Sequence, residues 1–127
     1  MLPKHQRIRT TAQFSDTQRS GSRFGNRNVV VSANIRPVIG DDPRAGFIVS
    51  KAVGNAVTRN VVKRRLRAIV TELFDRDFGI EVADGSVDLV VRALPASASA
   101  SFDELKEAAT HAGRGALRKY MQRAEQQ

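Results

Sequence analysis

Arg59, Asn60, Lys63, Arg64 and Arg67 are the residues whose types and spacing suggest chemistry, and that chemistry is recognition of phosphate. They lie in residues 50–67, SKAVGNAVTRNVVKRRLR, a stretch with six of the chain's 21 Lys and Arg residues and no acid. Helical spacing puts Val62, Leu66, Ile69 and Leu73 on one apolar stripe for a core. Asn60, Lys63, Arg64 and Arg67 form a polar, mostly cationic stripe beside it, and Arg59 sits between the two. A solvated helix gains from ion pairs of opposite sign four residues apart. Here Arg59, Lys63 and Arg67 repel one another at that spacing, and polyanionic phosphates would neutralise the repulsion. The competing reading is a face that only keeps the helix soluble.

No catalytic set accompanies these cations. Metal-dependent cleavage of a phosphodiester wants converging carboxylates, and the acids here are scattered, mostly through the less basic half. No nucleophile and base stand at a credible spacing. His5 has no His or carboxylate neighbour to suggest a metal site, and His111 reads as a structural or surface residue. Asp41 and Asp42 are adjacent, but no other ligand converges on them in sequence. There is no GxGxxG and no GxxxxGK[ST], so nucleotide-cofactor binding is unsupported. No residue is assigned to catalysis or to a metal.

Length and charge agree with a binding protein. The 127 residues suffice for one core and are too few for two ordinary domains, so residues 1–127 are expected to form one. Hydrophobic residues make up 41%, a globular composition, and the formal net charge is +8. Residues 1–67 carry 14 Lys or Arg against 3 Asp or Glu, giving +11; residues 68–127 carry 7 against 10, giving −3. That asymmetry implies one directed polyanion face. Cysteine is absent, which excludes disulfide and thiolate chemistry. No apolar run approaches the roughly 18 residues of a membrane span, and MLPKHQRIRT is not followed by the apolar segment of a secretory signal. The default location is cytoplasmic.

The elements that must position the cations follow in order. Lys4, Arg7 and Arg9 form a basic arm around Ile8, either frayed or packed through that residue. Thr10 or Thr11 caps a short helix containing Phe14, which ends before Ser20-Gly21-Ser22. Arg19, Arg23 and Arg27 surround the following turn. Residues 28–36, NVVVSANIR, read as a strand with Val29, Val31, Ala33 and Ile35 toward a core. Asn28, Val30, Ser32, Asn34 and Arg36 lie on a wetter face. PVIGDDP is a turn, and residues 44–51 form a second strand, expected to pair with the first as an antiparallel hairpin. One more short strand is allowed near 51–53. Gly54-Asn55 turns the chain into the long helix, expected over 58–77 with Gly79 as its stop. A loop at 80–86 leads to a strand at 87–93, with Asp88 and Arg92 flanking it or facing water. After a small-residue linker, Ser101 or Asp103 caps the last helix. Phe102, Leu105, Ala109, Ala112, Ala116, Leu117 and Tyr120 are its candidate packing face. Gly113 and Gly115 weaken it by roughly 1 kcal/mol each relative to Ala. The order gives an α+β class, a two-layer α/β sandwich.

Lys51, Gly54-Asn55-Ala56-Val57, Arg59-Asn60 and Lys63-Arg64, closed by Arg67, resemble the signature of the bacterial ribonuclease P protein family. The chain departs from the usual pattern at Val61, where a third basic residue is common, and at Ala52, where a second Lys is frequent. The resemblance implies a fold also seen in the second domain of a small-subunit ribosomal protein. It implies the protein subunit of a ribonucleoprotein that removes the 5′ leader from precursor tRNA. The RNA subunit would hold the Mg²⁺ ions and perform hydrolysis. The implied partners are that RNA subunit and precursor tRNA, with no membrane and no obligate protein partner.

Residue by residue, the resemblance assigns Lys51, Asn55, Arg59, Asn60, Lys63, Arg64 and Arg67 to the RNA subunit. It assigns Phe14, Arg19, Asn28, Val30 and Ser32 to the leader, and Lys4, Arg7 and Arg9 to other RNA contacts. Aromatic residues usual in the leader cleft are replaced here by Gln18 and Ser32, so the stacking surface is smaller and more polar. Read from its residues alone, Phe14 is a core side chain. The alternatives are a ribosomal or other structural RNA-binding protein, an RNA chaperone, or a DNA-binding protein using the long helix.

Overall fold

A computed structural model describes residues 2–76 and 85–126. The Gly79 stop and most of the loop expected at 80–86 lie outside the described residues, as does Asp77 at the expected end of the long helix. The basic arm is packed. Leu2 and Ile8 are buried, Lys4–Gln6 makes one 3-10 turn, and the Ile8 N–H donates to Ala45 O at 2.9 Å.

The first helix, α1 (Thr11–Ser20), starts at Thr10. The Thr10 hydroxyl accepts from Gln13 N–H, and Gln13 Oε1 accepts from Thr10 N–H, a reciprocal cap. Four strands follow: β1 (Ser22–Gly25), β2 (Val29–Arg36), β3 (Arg44–Ile48) and β4 (Ser86–Ala93). Between β3 and β4 runs α2 (Ala56–Asp75), and α3 (Phe102–Glu125) closes the described chain. Ser101 caps α3 with Glu104 in a second capping box. The linker before it contains a 3-10 turn, Pro95–Ala98, pinned by Ser97 Oγ donating to Leu94 O.

The sheet order is β1-β2-β4-β3. The hairpin expected between β2 and β3 does not form. Instead β4 lies between them, antiparallel to β2 and parallel to β3. The reason is burial. Leu89, Val90 and Val91 are all within the protein, toward both faces, so the most continuously apolar strand takes the centre. Asp88 adds a second reason, because it sits between Arg36 on β2 and Arg44 on β3. Asp88 was expected at the edge or toward water; it is 2% exposed. Arg44 grips both its carboxylate oxygens (2.9 and 2.7 Å), and Arg36 Nε donates to Oδ1 at 2.9 Å. The hydrogen bond to Asp88 raises the Arg44 pKa above its ordinary value, against the opposing effect of burial. No strand occurs at 51–53, where Val53 and Gly54 N–H close turns onto Ser50 O and Lys51 O.

One face of the sheet carries the main core. Val29, Val31, Ala33, Leu89 and Val91 meet the stripe Val62, Leu66, Ile69 and Leu73 of α2, and Leu105, Ala109, Ala112, Ala116 and Leu117 of α3. Phe102 is 39% exposed and outside that core. Gly115 has a packing role: a β-carbon there would come within 2.6 Å of the Phe24 ring, so its absence lets β1 lie against α3. α1 covers part of the opposite face, and its own Thr17 is fully buried there.

Candidate nucleic-acid interface

The turn into α2 is built by its sequence. Gly54 has φ 156°, and a β-carbon there would meet the Thr58 side chain at 3.0 Å. Asn55 Oδ1 accepts from Thr58 N–H at 2.9 Å and caps the helix. The Asn55 amide oxygen therefore has a structural task before any RNA arrives.

The cations of α2 divide by environment. Arg64 and Asn60 are exposed. Lys63 and Arg67 are half-buried, both facing the arm and β3. Arg59 is also half-buried, and its Nε is shielded from solvent with no hydrogen-bond partner among the described residues. Arg65 turns away and donates to Ala100 O at 3.2 Å, tying α2 to the linker. Lys51 is exposed in the preceding turn.

One hollow lies beside these cations and a second lies under α1. The first, of about 200 Å³, brings Lys63 and Arg67 together with Arg7, Phe14 and Gly46. Residues from the arm, from α1 and from α2 thus converge, and no carboxylate lines the space. Arg7 is partly committed, since its Nε donates to Leu2 O at 2.8 Å. The second hollow, about 210 Å³, lies between α1 and the sheet and is lined by Gln18, Arg23, Val30, Ser32, Val90, Arg92 and Leu94.

Of the residues assigned to the leader, Val30 and Ser32 line the second hollow and Phe14 the first. Ser32 is only 3% exposed, because α1 covers the face that alternation marked as wet. Arg19 and Asn28 line neither hollow. Arg19 is exposed at the end of α1, and Asn28 is held in the turn before β2, its carbonyl accepting from Leu94 N–H at 2.8 Å. Lys4 and Arg9 are exposed and line neither. Sequence reasoning missed Arg23 and Arg92 as lining residues. Their signal is register: Arg23 pairs with Ser32, and Arg92 with Val30, so each shares its partner's face.

Among the described residues, no three His, Cys, Asp or Glu side chains are grouped so as to hold a metal ion. Asp41 faces Arg36 Nη1 at 3.2 Å, and Asp42 faces His5 Nε2 at 2.8 Å. No described helix is long and apolar enough to cross a membrane.

Comparison with known proteins gives concordant results. The family model described as Ribonuclease P matches residues 2–120. The ribonuclease P protein component of Kocuria rhizophila is 55% identical over 105 residues, covering 83% of this chain and 86% of that protein. The component from Pseudarthrobacter chlorophenolicus is 54% identical over 109 residues, covering 84% and 74%. Among solved structures, the Staphylococcus aureus RNase P protein superposes with a TM-score of 0.72 at 26% identity, covering 92% of this chain and 98% of that one. The Thermotoga maritima RNase P protein gives 0.61 at 26% identity, covering 80% and 89%.

Proposed function

The chain belongs to the bacterial ribonuclease P protein family, and from that premise we infer how its residues serve the enzyme. It is the accessory protein subunit, assisting RNA-catalysed removal of the 5′ leader from precursor tRNA. The RNA subunit performs the hydrolysis and, in this reading, holds the Mg²⁺ ions. The working location is the cytoplasm.

Two contacts divide the labour. The flank of α2 with Arg59, Asn60, Lys63, Arg64 and Arg67 takes the backbone of the RNA subunit, with Lys51 and the turn at Asn55 beside it. The hollow under α1, with Val30, Ser32, Gln18, Arg23 and Arg92, takes the leader. The observation that carries this reading is the convergence of Phe14 with Lys63, Arg67 and Arg7 on one acid-free space. There an aromatic edge and three cations offer a base and its phosphates adjacent places. Lys4 and Arg9 add charge along the arm.

The test is precursor-tRNA cleavage at low Mg²⁺ with RNA subunit alone, protein alone and both together. Cleavage should be fast only with both. Mg²⁺-dependent cleavage by rigorously RNA-free protein would overturn the division of labour.

A further inference from the structure

We propose that the outer face of α3 is a two-fold interface, and that its occupant is a second copy of this chain. A groove of about 630 Å³ runs along this face beside Phe24. Asp103 and Glu107 line it in the first half of the helix, with Lys106 between them turned to Glu72, and Arg114 and Arg118 line it in the second. An isologous contact needs a patch that complements itself when reversed. Here an antiparallel axis passing between Thr110 and His111 sets Asp103 of one copy against Arg118 of the other. The same axis sets Glu107 against Arg114 and Thr110 against His111. All six line the groove, and all but Thr110 are exposed.

The central residues are small or flat enough for close approach. Beside them Phe24, 36% exposed, rests on Gly115 and meets the His111 ring edge-on with centroids 5.4 Å apart. The axis carries Gly115, and with it Phe24, toward Lys106 of the other copy. There the lysine stem offers an apolar surface, its head held by Glu72 at 2.9 Å.

The charge pattern selects protein over RNA as the occupant. The α2 flank presents cations without acids, as a phosphate-binding face should. The α3 groove holds both signs in matched positions, and its acids would repel a nucleic acid backbone. It also lies across the sheet from α1 and the hollow beneath it, so pairing leaves that hollow open.

Sedimentation of the full, RNA-free chain over a concentration series tests the proposal. The parent should form a reversible dimer that weakens as salt rises. Asp103→Arg and Arg118→Asp should each raise the dissociation constant by about tenfold or more, because like charges then meet across the axis. The double variant should restore dimerisation, and all variants should melt near the parent. Thr110→Arg, which sets two cations on the axis, should give the same loss without altering the first turn of the helix. A parent that stays monomeric throughout would overturn the proposal. So would single variants that dimerise like the parent, or a folded double variant that does not. Weaker binding of Arg118→Asp to the RNA subunit, with no dimer in the parent, would assign the face to RNA instead.

Discussion

The edge of the Phe14 ring rests on Gly46, where a β-carbon would come within 2.5 Å of the ring and 3.1 Å of Ile8. One absent side chain on β3 therefore sets the position of α1 and of the arm together. Gly46→Ala should cost about 1–3 kcal/mol through overpacking, read as a lowered denaturation midpoint. It should also weaken binding of long-leader precursor tRNA as the ring is pushed aside. Phe14→Leu should lose affinity for a long-leader substrate and much less for one with a one-nucleotide leader. Equal losses for both substrates would show that Phe14 serves folding or general RNA binding.

Arg64 and Leu66 separate binding from folding on one helix. Arg64 is exposed and Leu66 is fully buried. Arg64→Ala should leave the melting curve in place, weaken RNA-subunit binding, and lower the slope of log affinity against log salt by about 0.9 or less. Leu66→Ala should destabilise the protein by about 2–5 kcal/mol. Arg67→Ala should show some of both effects, since Arg67 is half-buried. A salt slope unchanged in Arg59, Lys63, Arg64 and Arg67 variants alike would remove this flank from the interface.

The Asp88 carboxylate holds two arginines from different strands. Asp88→Ala should cost about 3–5 kcal/mol, because it takes from half-buried Arg44 the carboxylate that grips it and leaves Arg36 held only by Asp41 and the Asp42 carbonyl. Chemical denaturation would measure it. A loss near zero would mean that water replaces the carboxylate without cost and that the pairing does not fix strand order.

Acid should loosen the start of α3. Glu104 accepts from Ser101 N–H at 2.9 Å, and that hydrogen bond holds its carboxyl below the usual carboxylate range. A depressed pKa contributes stability above the unfolded value and loses it as pH falls through the folded one. The stability difference between parent and Glu104→Gln should thus be present near neutral pH and shrink below about pH 4. Thermal melts of both proteins from neutral to acid pH would show it. A difference independent of pH would mean the cap acts through shape alone.

What was legible in the sequence was local. Thr10 and Ser101 each stand a fixed distance from the group they cap, so their roles can be read along the chain; Asn55 was read only as part of the turn, and the helix it caps starts at Ala56, not at 58. The alternation of Val29, Val31 and Ala33 and the stripe of Leu66 and Ile69 likewise mark their buried faces. What escaped depends on residues far apart. β1 is four residues long, and its Phe24 has a place only because Gly115 is bare. Asp88 looked like a solvated charge because its partners lie 44 and 52 residues away. The lining of the hollow under α1 became readable only once β4 was known to pair with β2, which brought Arg92 beside Val30.

The placement of β4 also orders events in time. It is the last strand to leave the ribosome, yet β2 and β3 hydrogen-bond to it and not to each other. Until residue 93 emerges, β3 has beside it only the amino-terminal arm, and Arg36 and Arg44 lack the carboxylate that joins them. By then the 14 cations of residues 1–67 have long been made, against 3 acids. The nascent chain thus carries its attraction for polyanions when only the β1–β2 pair of its sheet can have formed. The hollow lined by Val30, Ser32, Val90 and Arg92 exists only once the final strand slots into the middle of the sheet.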